Sequence, residues 1–362
     1  MQHPTRPITR GLTGLALTML TVPALTIPAA APAGATAAPT AATQARTPRH
    51  TVHHTGHHMI RYASVDSCPR KDGTTTPCHT WRLDLLDGRR VALKDAMLWP
   101  LTAKGRPDRT NSAPLTVSGD GESVAYFRRS DHRLVVREFH SGVQGGVQGE
   151  VRVMPRNPLP HGVGMNAAWL KLSQDGDRLA LGYTTADGRT RVRLFDVARA
   201  SATGTTPKTD AFSGFSGDGS AVLLQRAGDA NTIGLSVHDD TGAELAAAVP
   251  PQIVANNGPW ALSADDRTVA FVTGLGKKAK LHFYDVATDQ STGSVGFSLP
   301  KDASLDMIDW TGGHEVTLHL VRVRGSRDVV TVLRVDTETG RTRVRDSYQV
   351  RSGAFAYLSC GG

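Results

Sequence analysis

An all-β fold built from six four-stranded antiparallel units is predicted by three observations in this 362-residue chain. A turn motif recurs at nearly constant spacing, alternating strands follow each copy, and the C-terminus repeats only the first strand of the unit. The motif occupies Leu115 to Phe127 (LTVSGDGESVAYF), Leu170 to Leu181 (LKLSQDGDRLAL), Ser213 to Leu224 (SGFSGDGSAVLL) and Trp260 to Phe271 (WALSADDRTVAF). A degenerate copy spans Met307 to Leu318 (MIDWTGGHEVTL). Ser118, Ser173, Ser216, Ser263 and Trp310 hold the same place in each, at spacings of 55, 43, 47 and 47 residues. Periods of roughly 40 to 50 residues belong to repeats that bury their apolar faces against their neighbours.

Each copy explains itself. An apolar strand ends in Ser, x-Asp-Gly reverses the chain, and a run such as Val-Ala-Tyr opens the next strand. Asp can bond the turn backbone through its side chain, and Gly supplies positive φ. Asp120, Asp175 and Asp218 are therefore turn formers rather than metal ligands or catalytic acids. A third strand follows, recognised by alternation of apolar and polar residues. It covers Leu134 to Phe139, Arg191 to Asp196, Leu235 to Asp239, Leu281 to Asp285 and Val332 to Asp336. Poorer fourth strands come next, such as Gly149 to Met154 and Thr342 to Asp346.

The two ends complete one another. Phe355 to Ser359 repeats the first strand and its Ser, 49 residues beyond Trp310, and no second strand follows. Met59 to Ala63 supplies an orphan second strand, Thr80 to Asp84 a third and Arg89 to Leu93 a fourth. The C-terminal strand is thus expected to complete the first sheet, which removes the open edges of an array. Five full units and one shared unit make a six-bladed β-propeller.

The repeated Leu-x-Ser-x-Asp-Gly-x-x-Val/Leu-Ala pattern resembles the repeat of TolB-type and related WD-repeat propellers. The resemblance covers residues 58–362, and six blades is the TolB-like number. Two features depart from it. TolB is similar only in its propeller, with no α/β domain preceding the repeats here. The Trp-Asp dipeptide of WD repeats is replaced by Phe195-Asp196 and Tyr284-Asp285. The resemblance implies a fold and a habit of protein binding, not a particular task.

The first 57 residues read as something other than fold. Arg6 and Arg10 precede an apolar stretch from Gly11 to Ile27, followed by small residues including Ala35-Thr36-Ala37. That order is a secretory signal peptide over residues 1–37, followed by a His-rich linker over 38–57 and the propeller over 58–362. Pro23 and Pro28 interrupt the apolar stretch, against a membrane span. No cysteine precedes Cys68 to accept a lipid. The expected location is extracellular, as a monomer without a membrane span. Five of the 14 histidines lie between His50 and His58. With no Cys or carboxylate beside them they suit a solvated linker better than a metal site.

Chain-wide there are 41 Lys+Arg and 33 Asp+Glu, a net charge of +8. Without the signal peptide the balance falls to 39 against 33, a scattered excess that excludes a nucleic-acid footprint. There is no G-x-S-x-G, H-E-x-x-H or phosphate-binding glycine loop. No cofactor is expected, and no catalysis. Cys68 and Cys78 flank a short loop between second and third strands, where an exported protein forms a disulfide. Cys360 is left unpaired, at the other end of the same blade.

Binding residues are sought instead on the long loops Ala96 to Ser112, Ser141 to Met165, Thr241 to Gly258 and Ser291 to Ser304. These and the short turns on the same face carry Lys104, Arg106, Arg109, Arg156, Lys277 and Lys278. The expected function is an exported interaction scaffold that binds a protein or acidic envelope polymer through this basic face. The alternative is a propeller enzyme, a lactonase-like hydrolase or a lyase, with His161, Asn256, Asn257 and Asp306 at the channel mouth.

Overall fold

The computed structural model describes residues 59–139, 149–209, 211–228, 232–325 and 327–361. The segments expected to be a signal peptide (1–37) and a His-rich linker (38–57), and most of the Gly142 to Gly149 segment, lie outside the described residues. Six four-stranded antiparallel sheets follow one another round a ring. Blade 1 has the order β24 (Ala354–Ser359), β1 (Ile60–Pro69), β2 (Thr75–Leu85), β3 (Arg90–Leu93). Blade 2 runs from β4 (Leu115–Val117) through β5 (Ser123–Phe127) and β6 (Leu134–Glu138) to β7 (Val151–Val153). Blade 3 comprises β8 (Ala168–Leu172), β9 (Arg178–Thr184), β10 (Thr190–Asp196) and β11 (Ser201–Thr205). Blade 4 holds β12 (Ala211–Phe215), β13 (Ala221–Ala227), β14 (Ile233–Asp239) and β15 (Glu244–Ala248). Blade 5 holds β16 (Ala261–Leu262), β17 (Thr268–Thr273), β18 (Ala279–Asp285) and β19 (Gln290–Phe297). Blade 6 holds β20 (Ser304–Gly312), β21 (Glu315–Arg324), β22 (Arg327–Asp336) and β23 (Thr342–Gln349).

The expected closure is present. β24 pairs with β1, Tyr62 opposite Ser359 and Ser64 opposite Tyr357. The loop assignments need correction. Thr241 to Gly258 contains β15 and Ser291 to Ser304 contains most of β19, while β7 within Ser141 to Met165 is the fourth strand expected at Gly149 to Met154. Glu-Leu-Ala-Ala-Ala and Gln-Ser-Thr-Gly-Ser carry little strand propensity. Each is nevertheless held at the outer rim by the ladder of the strand inside it, as in Val237 opposite Ala246 and Leu281 opposite Val295.

The motif turn is a small hydrogen-bonded knot. In blade 3 the Ser173 hydroxyl donates to Asp175 at 2.6 Å and accepts the Arg178 amide at 3.0 Å. Asp175 in turn accepts the Asp177 amide at 3.0 Å. Ser216, Asp218 and the amides of Ser220 and Ala221 repeat the arrangement in blade 4. The aspartates are turn formers, as expected. Gly121 shows why glycine follows them: its φ is +78°, and a Cβ there would sit 2.5 Å from the Ile60 carbonyl oxygen.

Apolar burial lies between blades rather than within them. One buried cluster joins blade 1 to blade 2 through Ile60, Trp81, Leu115 and Tyr126. The one between blades 6 and 1 contains Tyr62, Val330, Val332 and Tyr348, with Tyr62 stacked on Tyr348 at 5.2 Å. The remaining four interfaces have clusters of their own.

His319 on β21 is 2% exposed, and its Nδ1 has no hydrogen-bond partner. Burial, with the charges of Lys171 and Arg345, pushes its pKa down to about 3. The ring is therefore neutral in the fold and takes a proton on unfolding below the ordinary value near 6.5. Stability from this group is full above that value and is lost as pH falls toward 3, on the order of 3 kcal/mol by about pH 4. Asp120, pushed up to about 6 by burial, acts with the opposite sign. Replacing His319→Leu should flatten the acid limb in urea unfolding at stepped pH. An unchanged acid limb would refute this assignment.

Candidate functional site

Antiparallel alternation places the turns between second and third strands on the same face as the connections between blades. The motif turns occupy the other face. There the space between inner strands shrinks to a cavity of about 10 Å³ lined by Lys171, Asp309, Trp310 and Gly361, room for about one water. Lys171 Nζ donates to the Gly361 carbonyl across it.

The connection face is different. Over blades 1 to 3 the connection after β3 and the connection after β7 stand apart, and the β5–β6 turn closes the gap between them. A cleft of about 530 Å³ results. Leu101, Phe127, Leu159, Val163 and Met165 give it an apolar floor, while Asp131, His132, Arg133 and Arg156 stand round it.

Both walls are fixed by local chemistry. Residues 101–107 form a miniature hairpin with Leu101 bridged to Pro107. The Thr102 amide donates to the Arg106 carbonyl at 2.8 Å, and Lys104 and Arg106 flank Gly105 at the tip. Trp99 Nε1 donates to the Pro77 carbonyl at 3.0 Å, and the Arg109 guanidinium lies 4.9 Å over the Trp99 ring. The Arg109 carbonyl accepts from Thr76 Oγ1 at 2.6 Å and from Arg70 Nη2.

Thr76 and Pro77 adjoin Cys78, which is bonded to Cys68 with the Cα atoms 5.9 Å apart. The expected disulfide thus anchors the β1–β2 hairpin on which this wall leans. Beside it, burial raises the Asp66 carboxyl, but Arg82, His79 and Arg351 together hold it below its ordinary value. Removing the ten-residue-separated link with Cys68→Ser and Cys78→Ser should cost about 2–3 kcal/mol in urea unfolding. No change in stability would contradict the anchoring role. Cys360 is free, as expected; it is also buried, and burial pushes its thiol up to about 11. No nucleophile is prepared there.

On the opposite wall Arg193 Nη1 donates to the Asn157 and Pro158 carbonyls, each at 3.2 Å. The two connections also touch: Asn166 Nδ2 reaches Asp108 at 3.4 Å. A Cβ on Gly164 would lie 2.4 Å from the Ala103 amide nitrogen, so this approach needs glycine.

Many arginines of the ring are matched by carboxylates: Arg61 with Asp346, Arg82 with Asp66, Arg90 with Asp84, Arg137 with Asp95, Arg178 with Asp196 and Arg267 with Asp285. Lys104, Arg106, Arg109 and Arg156 have no carboxylate partner among the described residues. The acids nearby are committed to their own turns. The Thr110 hydroxyl, with Asn111 and Asn166, holds the Asp108 carboxyl below its usual value. Arg128 takes Asp131, and Thr74 takes Asp72.

The structure therefore gathers Arg156 with the hairpin of Lys104 and Arg106, and sets Arg109 on the outer side of that wall. It does not bring Lys277 and Lys278 to them. Those residues lie in the short 3₁₀ turn Gly276–Lys278 of blade 5, three blades round the ring. The β5–β6 turn residues Asp131, His132 and Arg133 and the apolar floor carry no signal of their own in the sequence. Pro155, Pro158 and Pro160, which stiffen one wall, were the available signal. His161, the adjacent Asn256 and Asn257, and Asp306 on β20 fall in three different parts of the ring, and no hydrogen bond or ion pair joins any two of the four among the described residues.

No protein-family model matches the chain, and no curated protein does. Solved structures of β-propellers do. TolB from Acinetobacter baumannii is 17% identical over 83% of this chain and 66% of that one, with a TM-score of 0.42. The β-propeller domain of the Trilobed protease from Pyrococcus furiosus is 11% identical over 81% of this chain and 95% of that one, at 0.43. The Dos1 propeller is 12% identical over 82% and 88%, at 0.37. The chain is a six-bladed propeller similar to TolB and to other β-propellers.

Proposed function

We propose that this propeller is an exported, non-catalytic interaction scaffold whose basic cleft over blades 1 to 3 receives an acidic partner, either an acidic protein segment or an envelope polymer. The observation that carries the reading is the set of uncompensated cations, Lys104, Arg106 and Arg156, at a preformed cleft whose local acids are all committed, with Arg109 on the outer side of one wall. A fixed cleft costs little ordering on binding, and unpaired surface cations steer an anionic partner toward it. The apolar floor suits a ligand that is not charge alone. The N-terminal sequence pattern and the disulfide support export.

The test is a crosslinked capture from the producer's envelope and culture fluid, read by mass spectrometry. A Lys104→Glu, Arg106→Glu, Arg156→Glu variant is run beside the unaltered chain. The expected result is one partner whose affinity falls at least about tenfold in the variant and whose binding weakens with salt. A partner bound equally by both would overturn the cleft as the site.

A further inference from the structure

Six large apolar side chains are exposed among the described residues, and four of them share one half of the connection face. Val249 (61% exposed) and Ile253 (49%) lie on the connection from blade 4 to blade 5, Leu275 (62%) on the β17–β18 turn, and Val323 (74%) at the end of β21. These are consecutive blades, across the ring from the cleft.

Their exposure is built in. In the helical turn Gln252–Ala255, Val254 is fully buried and its carbonyl accepts Trp260 Nε1 at 3.0 Å, which leaves Ile253 pointing out. Leu275 is flanked by Gly274 and Gly276 at φ +72° and +61°, so the turn projects it. That turn is held by the Lys278 amide on the Leu275 carbonyl and the Leu299 amide on the Gly276 carbonyl.

Cations stand between these tips. Lys277, Lys278, Lys301 and Arg324 are exposed and meet no carboxylate among the described residues. Asp302 on the same half is met by Arg322 at 3.7 Å.

We propose that this half-face docks on an anionic lipid bilayer. Separate apolar tips spread over three blades need a partner that accepts each of them without a shaped pocket. Cations between the tips need anions in the same plane. A bilayer supplies both, with headgroup phosphates at the level of the lysines and acyl chains just beneath. A folded acidic protein would have to offer a matching hollow for every tip. The site is independent of the cleft, and it is peripheral: no helix among the described residues is long and apolar enough to cross a membrane.

The test places an environment-sensitive nitrobenzoxadiazole dye at Leu275→Cys in the full chain; Cys360 is buried and Cys68 and Cys78 are bonded to each other, so labelling is selective. Vesicles of phosphatidylcholine with phosphatidylglycerol should shift the emission to the blue and brighten it. Phosphatidylcholine alone should not, nor should either vesicle affect the dye at Glu338→Cys on the opposite face. Adding Lys277→Glu and Lys278→Glu should weaken the response by about tenfold or more. Because the dye reports on its own position, binding through the N-terminal apolar segment cannot imitate insertion at 275. No shift at 275 with anionic vesicles would overturn the proposal. An equal shift with soluble polyphosphate would also overturn it, in favour of a polyanion.

Discussion

Deleting residues 354–361 should leave a chain that no longer unfolds as one cooperative unit and that associates in solution. The deletion removes β24 and opens the edge of β1 from Tyr62 to Asp66. It also withdraws Phe355, Ala356, Leu358 and Cys360 from the cluster between blades 1 and 2. The Tyr348 hydroxyl loses Ser359 Oγ at 3.0 Å, and Val117 and Ser118 lose the Gly361 amide. Two or three large apolar groups at about 1.5–3 kcal/mol each, with the ladder added, exceed about 5 kcal/mol. That rivals the whole stability of a typical domain. The bared strand is in addition a template for pairing with another chain. Size-exclusion chromatography and urea unfolding would show it. A monomeric truncated protein within about 1 kcal/mol of the full chain would refute the account.

Arg178→Ala should be the most damaging single replacement of a charged residue. Arg178 and Asp196 face each other in the β9–β10 ladder, their side chains 7% and 6% exposed, with Nη1 to Oδ2 at 2.7 Å. Arg178 also reaches Asp240 of blade 4 at 3.3 Å, so it ties two blades. Taking away one member of a buried pair costs about 3–5 kcal/mol, here leaving Asp196 only the exposed Arg199 guanidinium at 3.4 Å and the Arg199 amide. Burial raises the Asp196 carboxyl, while the Arg199 amide and Arg178 hold it below its ordinary value. Loss of Arg178 should therefore lift that pKa, and the variant should recover part of its stability as the pH falls and Asp196 takes a proton. Arg267→Ala is the comparison. It breaks the equivalent pair with Asp285 in blade 5, but Arg267 is 46% exposed, and the loss should stay within about 1 kcal/mol. Equal losses in urea unfolding would show that burial is not what separates the two.

The architecture was largely legible because the repeat writes its own grammar. Ser173, Asp175 and Gly176 announce a turn by chemistry that operates within five residues, and alternation from Arg191 to Asp196 announces the strand after it. The outer strands β15 and β19 were not legible. Ala, Ser and Gly form strands there because a neighbour supplies the ladder, and no local pattern records that. The site was half legible. Sequence could say that Lys104, Arg106, Arg109, Arg156, Lys277 and Lys278 belong to one face. It could not say that Arg193 and Asn166 pull two connections into a cleft, or that Lys277 and Lys278 fall three blades away. Which cations stay uncompensated was also hidden, since Arg61 and Asp346 are partners from opposite ends of the chain.

The placement of apolar burial has one more consequence. Every cluster spans a pair of neighbouring blades, so no blade owns a core, and each contributes half of two. An open solenoid can gain or lose a unit at its end and keep the energetics of the rest. A ring has no end. Excising one blade here would bring together two faces that never met, each carved to a different neighbour. Lineages of this molecule should therefore vary by loop insertion on the connection face and hold the number of blades constant.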